Sequence, residues 1–302
     1  MAATTAPLRM TGGRRVALAI GVPVCLALVA GTGLGVIGDF GVGTYQVSKV
    51  VPATTTALAV NVIGQLTIEP TKARQATLAG TAKYSIIRPA VTERTSDGTT
   101  TFGYGCSFPA GECGLDATVA VPATVTTLTA SSGGGNASVT GTTGPVTLST
   151  GSGNLSVSHA SGPVTLSTDS GSIQVSDTRS DALIASSGSG NIGISTAGAT
   201  SATITASTDS GSISGNAITT NEITAASGNG NITITFKTVP DNVRVNTDSG
   251  NIVIKLPAGS TAYNVTPTTD SGHVIDGTVP RSGNSAHVIT ASTGSGNITI
   301  TR

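Results

Sequence analysis

Tryptophan is missing from all 302 residues, aromatic side chains make up 3%, and there are two methionines and three cysteines. A helical core of this length would draw on Leu, Phe and Met for bulk. The small and β-branched residues present suit thin, closely stacked strands instead. Charge is equally scarce, at 10% of residues and a formal net charge of zero. No basic stripe exists to draw in a phosphate backbone, which argues against nucleic acid as a partner. Catalytic groups are thin too. Glycoside chemistry needs clustered carboxylates, whereas the second half of the chain holds isolated charges. Tyr263 and Phe236 are the only aromatics after residue 118 that could stack on a sugar. His159, His273 and His287 fall at unrelated positions with no paired Cys or acidic ligand motif. No enzymatic activity, no cofactor and no metal site are expected.

One long hydrophobic run exists. Residues 16–38 are 23 uncharged, mostly apolar residues, and about 20 such residues in a helix span a bilayer core. Arg14 and Arg15 precede the run and Asp39 follows it. The positive-inside rule then puts residues 1–15 in the cytoplasm and everything after the run outside. A cleaved secretory signal is the competing reading, with Gly31-Thr-Gly33 as a small-residue exit, although signal peptides usually carry about 7–15 apolar residues. Cys25 follows Val24 rather than a small residue, which disfavours lipidation. The expected layout is a single-pass anchor in the cell membrane with an extracytoplasmic C-terminal region. Within that region, residues 39–52 read as a linker and 53–120 as an irregular β region. Residues 121–302 read as a repeat array.

Cys106 and Cys113 lie in the irregular region. Export to an oxidising compartment makes a disulfide the leading reading for the pair, ahead of free thiols. Zinc would need further ligands, and the nearest histidine in sequence is His159.

A short phrase is written nine times in the array. Clear copies are Thr150-Gly-Ser-Gly-Asn-Leu-Ser-Val157, Thr247-Asp-Ser-Gly-Asn-Ile-Val-Ile254 and Thr293-Gly-Ser-Gly-Asn-Ile-Thr-Ile300. The central glycines run from Gly135 to Gly296 in steps of 18 to 24 residues, the mark of a repeat architecture. Seven residues before each glycine sits an apolar side chain, as at Leu128, Val146 and Ile289. Another sits two after it, as at Leu155, Ile173 and Ile298. Each repeat therefore holds two period-two strands with one apolar face, joined by a turn in which glycine is expected to supply backbone freedom. A unit this small must stack on its neighbours. An all-β fold follows, a β-solenoid of about 20-residue two-strand repeats. Stacking should align Asn136, Asn154, Asn191, Asn231, Asn251 and Asn297 in one ladder, and Ser152, Ser170, Ser189 and their equivalents in another. Asp169, Asp209, Asp248 and Asp270 share a turn position, where Asp bonds its own backbone.

The array, its lead-in Val121-Pro-Ala-Thr-Val-Thr-Thr-Leu-Thr and the segment Leu256-Pro-Ala-Gly-Ser-Thr-Ala-Tyr-Asn-Val resemble the DUF4097 β-strand-repeat proteins over roughly residues 44–302. The resemblance implies a bacterial, membrane-anchored or secreted protein of the kind named as adhesins, with no catalytic residues to carry over. The expected role is a non-enzymatic surface adhesin or scaffold that meets a protein or cell-surface partner through its long faces. The alternative is an envelope-stress or signalling accessory. The array closes on a full strand at residues 296–301, so its C-terminal edge is expected to be open. That edge would support weak self-association or take a partner's strand, with simple fraying as the alternative.

Overall fold

The computed structural model describes residues 42–85, 87–106, 112–196 and 200–302. The membrane segment expected over 16–38 and the tail before it lie outside the described residues. Among the described residues no helix is long and apolar enough to cross a membrane. Every regular element among the described residues is a strand. In chain order they begin with β1 (Gly43–Val50), β2 (Ala57–Val62), β3 (Leu66–Thr71), β4 (Thr77–Tyr84), β5 (Thr92–Ser96), β6 (Thr99–Gly103) and β7 (Cys113–Pro122). Strand pairs then follow, one pair per phrase: β8 (Thr127–Ser132) and β9 (Ala137–Thr140), β10 (Val146–Thr150) and β11 (Leu155–Ser158), β12 (Val164–Thr168) and β13 (Ile173–Ser176). The middle pairs are β14 (Ala182–Ser187) and β15 (Ile192–Ser195), β16 (Ser201–Thr208) and β17 (Ile213–Ile218), β18 (Thr220–Ser227) and β19 (Ile232–Phe236). The last are β20 (Asn242–Ser249) and β21 (Ile252–Lys255), β22 (Asn264–Ser271) and β23 (Val274–Ile275), β24 (Val288–Ser295) and β25 (Ile298–Thr301). The expected linker over 39–52 thus carries a strand, β1.

Within residues 114–302 each pair makes one coil, its first strand in a 12-stranded sheet and its second in a 13-stranded sheet. Neighbouring coils pair in parallel and in register, so that Val146 faces Val164, Leu148 faces Leu166 and Thr150 faces Thr168. The same columns recur in the other sheet, where Leu155 faces Ile173 and Val157 faces Val175. The inward columns read from the sequence are the core: Leu128, Val146, Leu155, Ile173, Ile252 and Ile298 are all at most 3% exposed. This is a parallel, solenoid-like stack.

Two features differ from expectation. The first is the central glycine. Among these glycines φ is in the positive range only at Gly296, so turn conformation does not explain the residue type. Contact does. A Cβ at Gly153 would fall 2.0 Å from the Gly135 carbonyl oxygen, and one at Gly250 would fall 2.2 Å from that of Gly230. The corners of successive coils touch backbone to backbone, which only glycine permits.

The second is the order of coils. The pair β24/β25 does not end the stack. β24 lies between β20 and β22, and β25 lies between β21 and β23. The coil formed last in the chain is threaded between two earlier ones. The other end does the same, since β2 pairs with both β6 and β8, and β3 with both β7 and β9. A full coil therefore lies inside the stretch expected to be irregular, with β6/β7 outside it.

Candidate functional surfaces

The corners are built from a column that the sequence reading passed over. Three residues before each central glycine stands Ser or Thr, and this hydroxyl is buried at Thr150, Thr168, Ser187, Thr208 and Thr247. It works in both directions. Thr168 Oγ1 donates to the Gly153 carbonyl of the preceding coil at 3.1 Å and accepts from the Gly171 N–H of its own at 3.0 Å. Ser187 does likewise with Gly171 and Gly190, both at 2.8 Å. Burying a hydroxyl is tolerable only when it is bonded, and here one side chain closes a corner and ties it to the next. The signal was present in the sequence, because all nine copies carry a hydroxyl there.

The asparagine ladder is real but takes a specific form. Asn154 Oδ1 accepts from the Ser172 backbone N–H at 2.8 Å, and Asn251 Oδ1 accepts from that of Asn297 at 2.8 Å. The serine ladder is a correction. Ser152, Ser170 and Ser189 are exposed, and it is the backbone of this column that bonds between coils, with Ser170 N–H donating to the Gly151 carbonyl.

Cys106 and Cys113 are bonded Sγ to Sγ with their Cα atoms 6.3 Å apart. Both belong to a small unit that also takes in residues 83–85, in which Glu112 N–H donates to Ser85 Oγ. The centre of the cysteine loop, 107–111, is outside the described residues. The histidines sit on different coils. His159 is 3.9 Å from Asp177, while His287 Nδ1 is 3.0 Å from the Pro240 carbonyl oxygen and 3.3 Å from Asp241. Asp169, Asp209, Asp248 and Asp270 are exposed. Among the described residues no three His, Cys, Asp or Glu side chains gather where they could hold a metal ion.

The outer face of the 12-stranded sheet is the most regular surface. Thr129, Thr147, Thr165, Thr205 and Thr290 occupy one exposed column across it. Ile184 stands in the same column at 44% exposed, as does Arg244, which pairs with Glu222 at 3.0 Å. The face offers methyl and hydroxyl groups with almost no charge. A cleft of about 90 Å³ opens elsewhere, lined by Pro70, Val121, Pro122, Val125 and Thr142 among others.

Each end of the stack buries a tyrosine. Burial pushes the Tyr104 hydroxyl up to about 12, helped by the charge of Tyr45. Burial also raises Tyr263, against the opposing pull of Arg302. Arg302, read as a lone charge on an open strand, is instead a clamp. Its guanidinium donates to the Gly259 and Thr261 carbonyls and stands 5.8 Å from the Tyr263 ring centroid. Ile298 and Ile300 are fully buried. The open edge expected at residues 296–301 belongs to β22/β23, where Val274 is 38% and Ile275 58% exposed. The reason is the threading of the last coil.

A stack of short parallel coils with Gly-Asn corners and no gathered catalytic groups among the described residues defines a β-repeat protein. The chain belongs to the Toastrack DUF4097 family, whose model matches residues 91–301. No curated protein matches it in sequence. Among solved structures it is similar to a "putative lipid binding protein" from Parabacteroides distasonis, 14% identical over 88% of this chain and 98% of that one, with a TM-score of 0.54. A "putative adhesin" from the same species is 13% identical over 87% and 98%, with a TM-score of 0.48. A "putative adhesin" from Bacteroides fragilis is 13% identical over 85% and 97%, with a TM-score of 0.45. The first of these supports the fold.

Proposed function

We propose that the protein is a non-enzymatic, membrane-anchored extracytoplasmic β-repeat protein acting as an adhesin or surface scaffold. The observation that carries this reading is the Thr- and Ser-rich face with few charges, repeated coil after coil on a stack whose corners are locked by buried hydroxyls. Such a face suits many weak contacts with a large partner, and rigidity lowers the entropy lost on contact. Residues 16–38 hold the protein in the membrane in this reading, and Cys106 and Cys113 are oxidised outside the cell.

Deleting the gene should reduce adhesion and leave envelope-stress gene expression unchanged. The reverse result would favour a signalling accessory. External protease should digest the protein in intact cells, and alkylation of Cys106 and Cys113 should require a reductant. A soluble form starting near residue 34 would show a cleaved signal instead.

A further inference from the structure

The threaded coil raises the question of what decides its place. β20/β21 and β22/β23 both pair with β24/β25, and they do so through the same columns. Ile289 faces Val243 on one side and Val265 on the other, Ala291 faces Val245 and Pro267, and Ile298 faces Ile252 and Val274. The two flanks are thus in register with each other across the coil that separates them. If the coil leaves, they can close together as ordinary neighbours of the repeat.

Residues 276–287 connect the end coil to the threaded one. Twelve residues reach about 40 Å when extended, many times the roughly 4.8 Å between neighbouring strands. The connection is largely exposed, with Val279 its one buried apolar side chain, and two backbone bonds hold it at Tyr263, whose N–H donates to the Pro280 carbonyl and whose carbonyl accepts from the Ser282 N–H. Beyond strand pairing, Arg302 on the Gly259 and Thr261 carbonyls holds the far end of the coil.

We propose that residues 288–302 are an exchangeable coil, and that the slot between β20/β21 and β22/β23 accepts this coil from a second copy of the chain. The slot recognises Ile289, Ala291, Thr293, Ile298 and Ile300, which every copy carries. Exchange replaces each internal contact by an identical one between chains, which makes swapping of this kind inexpensive. Reciprocal exchange gives a closed dimer, and one-way exchange gives an open chain of molecules. Pairing between two open edges is a poorer route. Pro267 has no N–H to offer, β23 spans only two residues, and Asp270 and Asp276 flank it.

Arg244 and Thr290 face each other in register on the outer face, at a spacing that suits a disulfide. Two full-length chains with different tags, one Arg244→Cys and one Thr290→Cys, both with Cys25→Ser, are co-expressed in one cell and oxidised in place. The proposal expects a cross-linked heterodimer, increased several-fold by adding Arg302→Ala to the Thr290→Cys chain. Absence of heterodimer while the double variant Arg244→Cys/Thr290→Cys closes its bond within one chain overturns it. Should the double variant fail to close, light scattering of the full chain in detergent decides. Monomer alone, or a dimer whose fraction Arg302→Ala does not raise, also overturns the proposal.

Discussion

The two coils at the C-terminal end carry the same phrase and lie side by side, yet they live in different environments. β24/β25 is enclosed on both sides, with Ile289, Ala291, Ile298 and Ile300 all fully buried. In β22/β23 the equivalent Val265 and Pro267 are half-buried and Val274 is exposed. Their sequences explain the assignment. The enclosed place has two apolar flanks to satisfy, and the complete phrase fills it. The phrase with Pro267 and Asp276 is left at the end, where a missing N–H can face water and the Asp276 carboxylate pairs with Arg281 of the following connection. At this end of the stack, position follows the completeness of the phrase, whereas β8 to β21 lie in chain order.

The largest test of that contrast is a pair of truncations. Ile298→Ala should cost about 2–5 kcal/mol, while Val274→Ala should stay within about 0.5 kcal/mol. Urea denaturation of both variants measures the difference. Similar losses would mean that the two coils are equally buried. Glycine gives the next contrast. Gly250→Ala drives a Cβ against the Gly230 carbonyl, whereas a Cβ at Gly277 meets nothing within 4 Å. The first should lose about 1–3 kcal/mol and the second about 0.5 kcal/mol or less.

Hydroxyls sharpen the comparison further. Thr168→Val leaves the Gly153 carbonyl and the Gly171 N–H unpartnered at a buried corner, for about 1–3 kcal/mol. The outward-facing Thr268 should tolerate the same change within about 0.5 kcal/mol. Equal effects at Thr168 and Thr268 in thermal melts would remove the buried hydroxyl column from the account.

The smallest expected effect is alkaline. Burial pushes the Tyr104 hydroxyl above its ordinary range, up to about 12. Below the unfolded value its contribution to stability is fully present. As pH rises from there toward 12 the unfolded chain loses its proton first, and that contribution is lost. Stability measured from pH 9 upward should therefore fall less steeply in Tyr104→Phe, and parallel curves would contradict the assignment.

Much of the interior was legible in the sequence, because an apolar column repeated nine times has few places to go but inward. The asparagine ladder was legible for the same reason. The glycine column was visible but its cause was not, since a turn and a backbone contact select the same residue. The hydroxyl column was hidden by habit, as Ser and Thr ordinarily read as surface. Order at the ends could not be read from adjacent spacing. Pro267 and Asp276 stood out only as weak breaks, and their meaning depends on a competition with residues 288–302 that only the folded stack displays.

Hydrogen exchange tests the central claim most directly. Threading predicts that the amides of residues 298–301 exchange slowly, at rates set by large-scale opening, while those of residues 274 and 275 exchange fast. A stack in chain order would reverse this, with residues 298–301 fast at an open end and 274–275 protected, and that result would contradict the account.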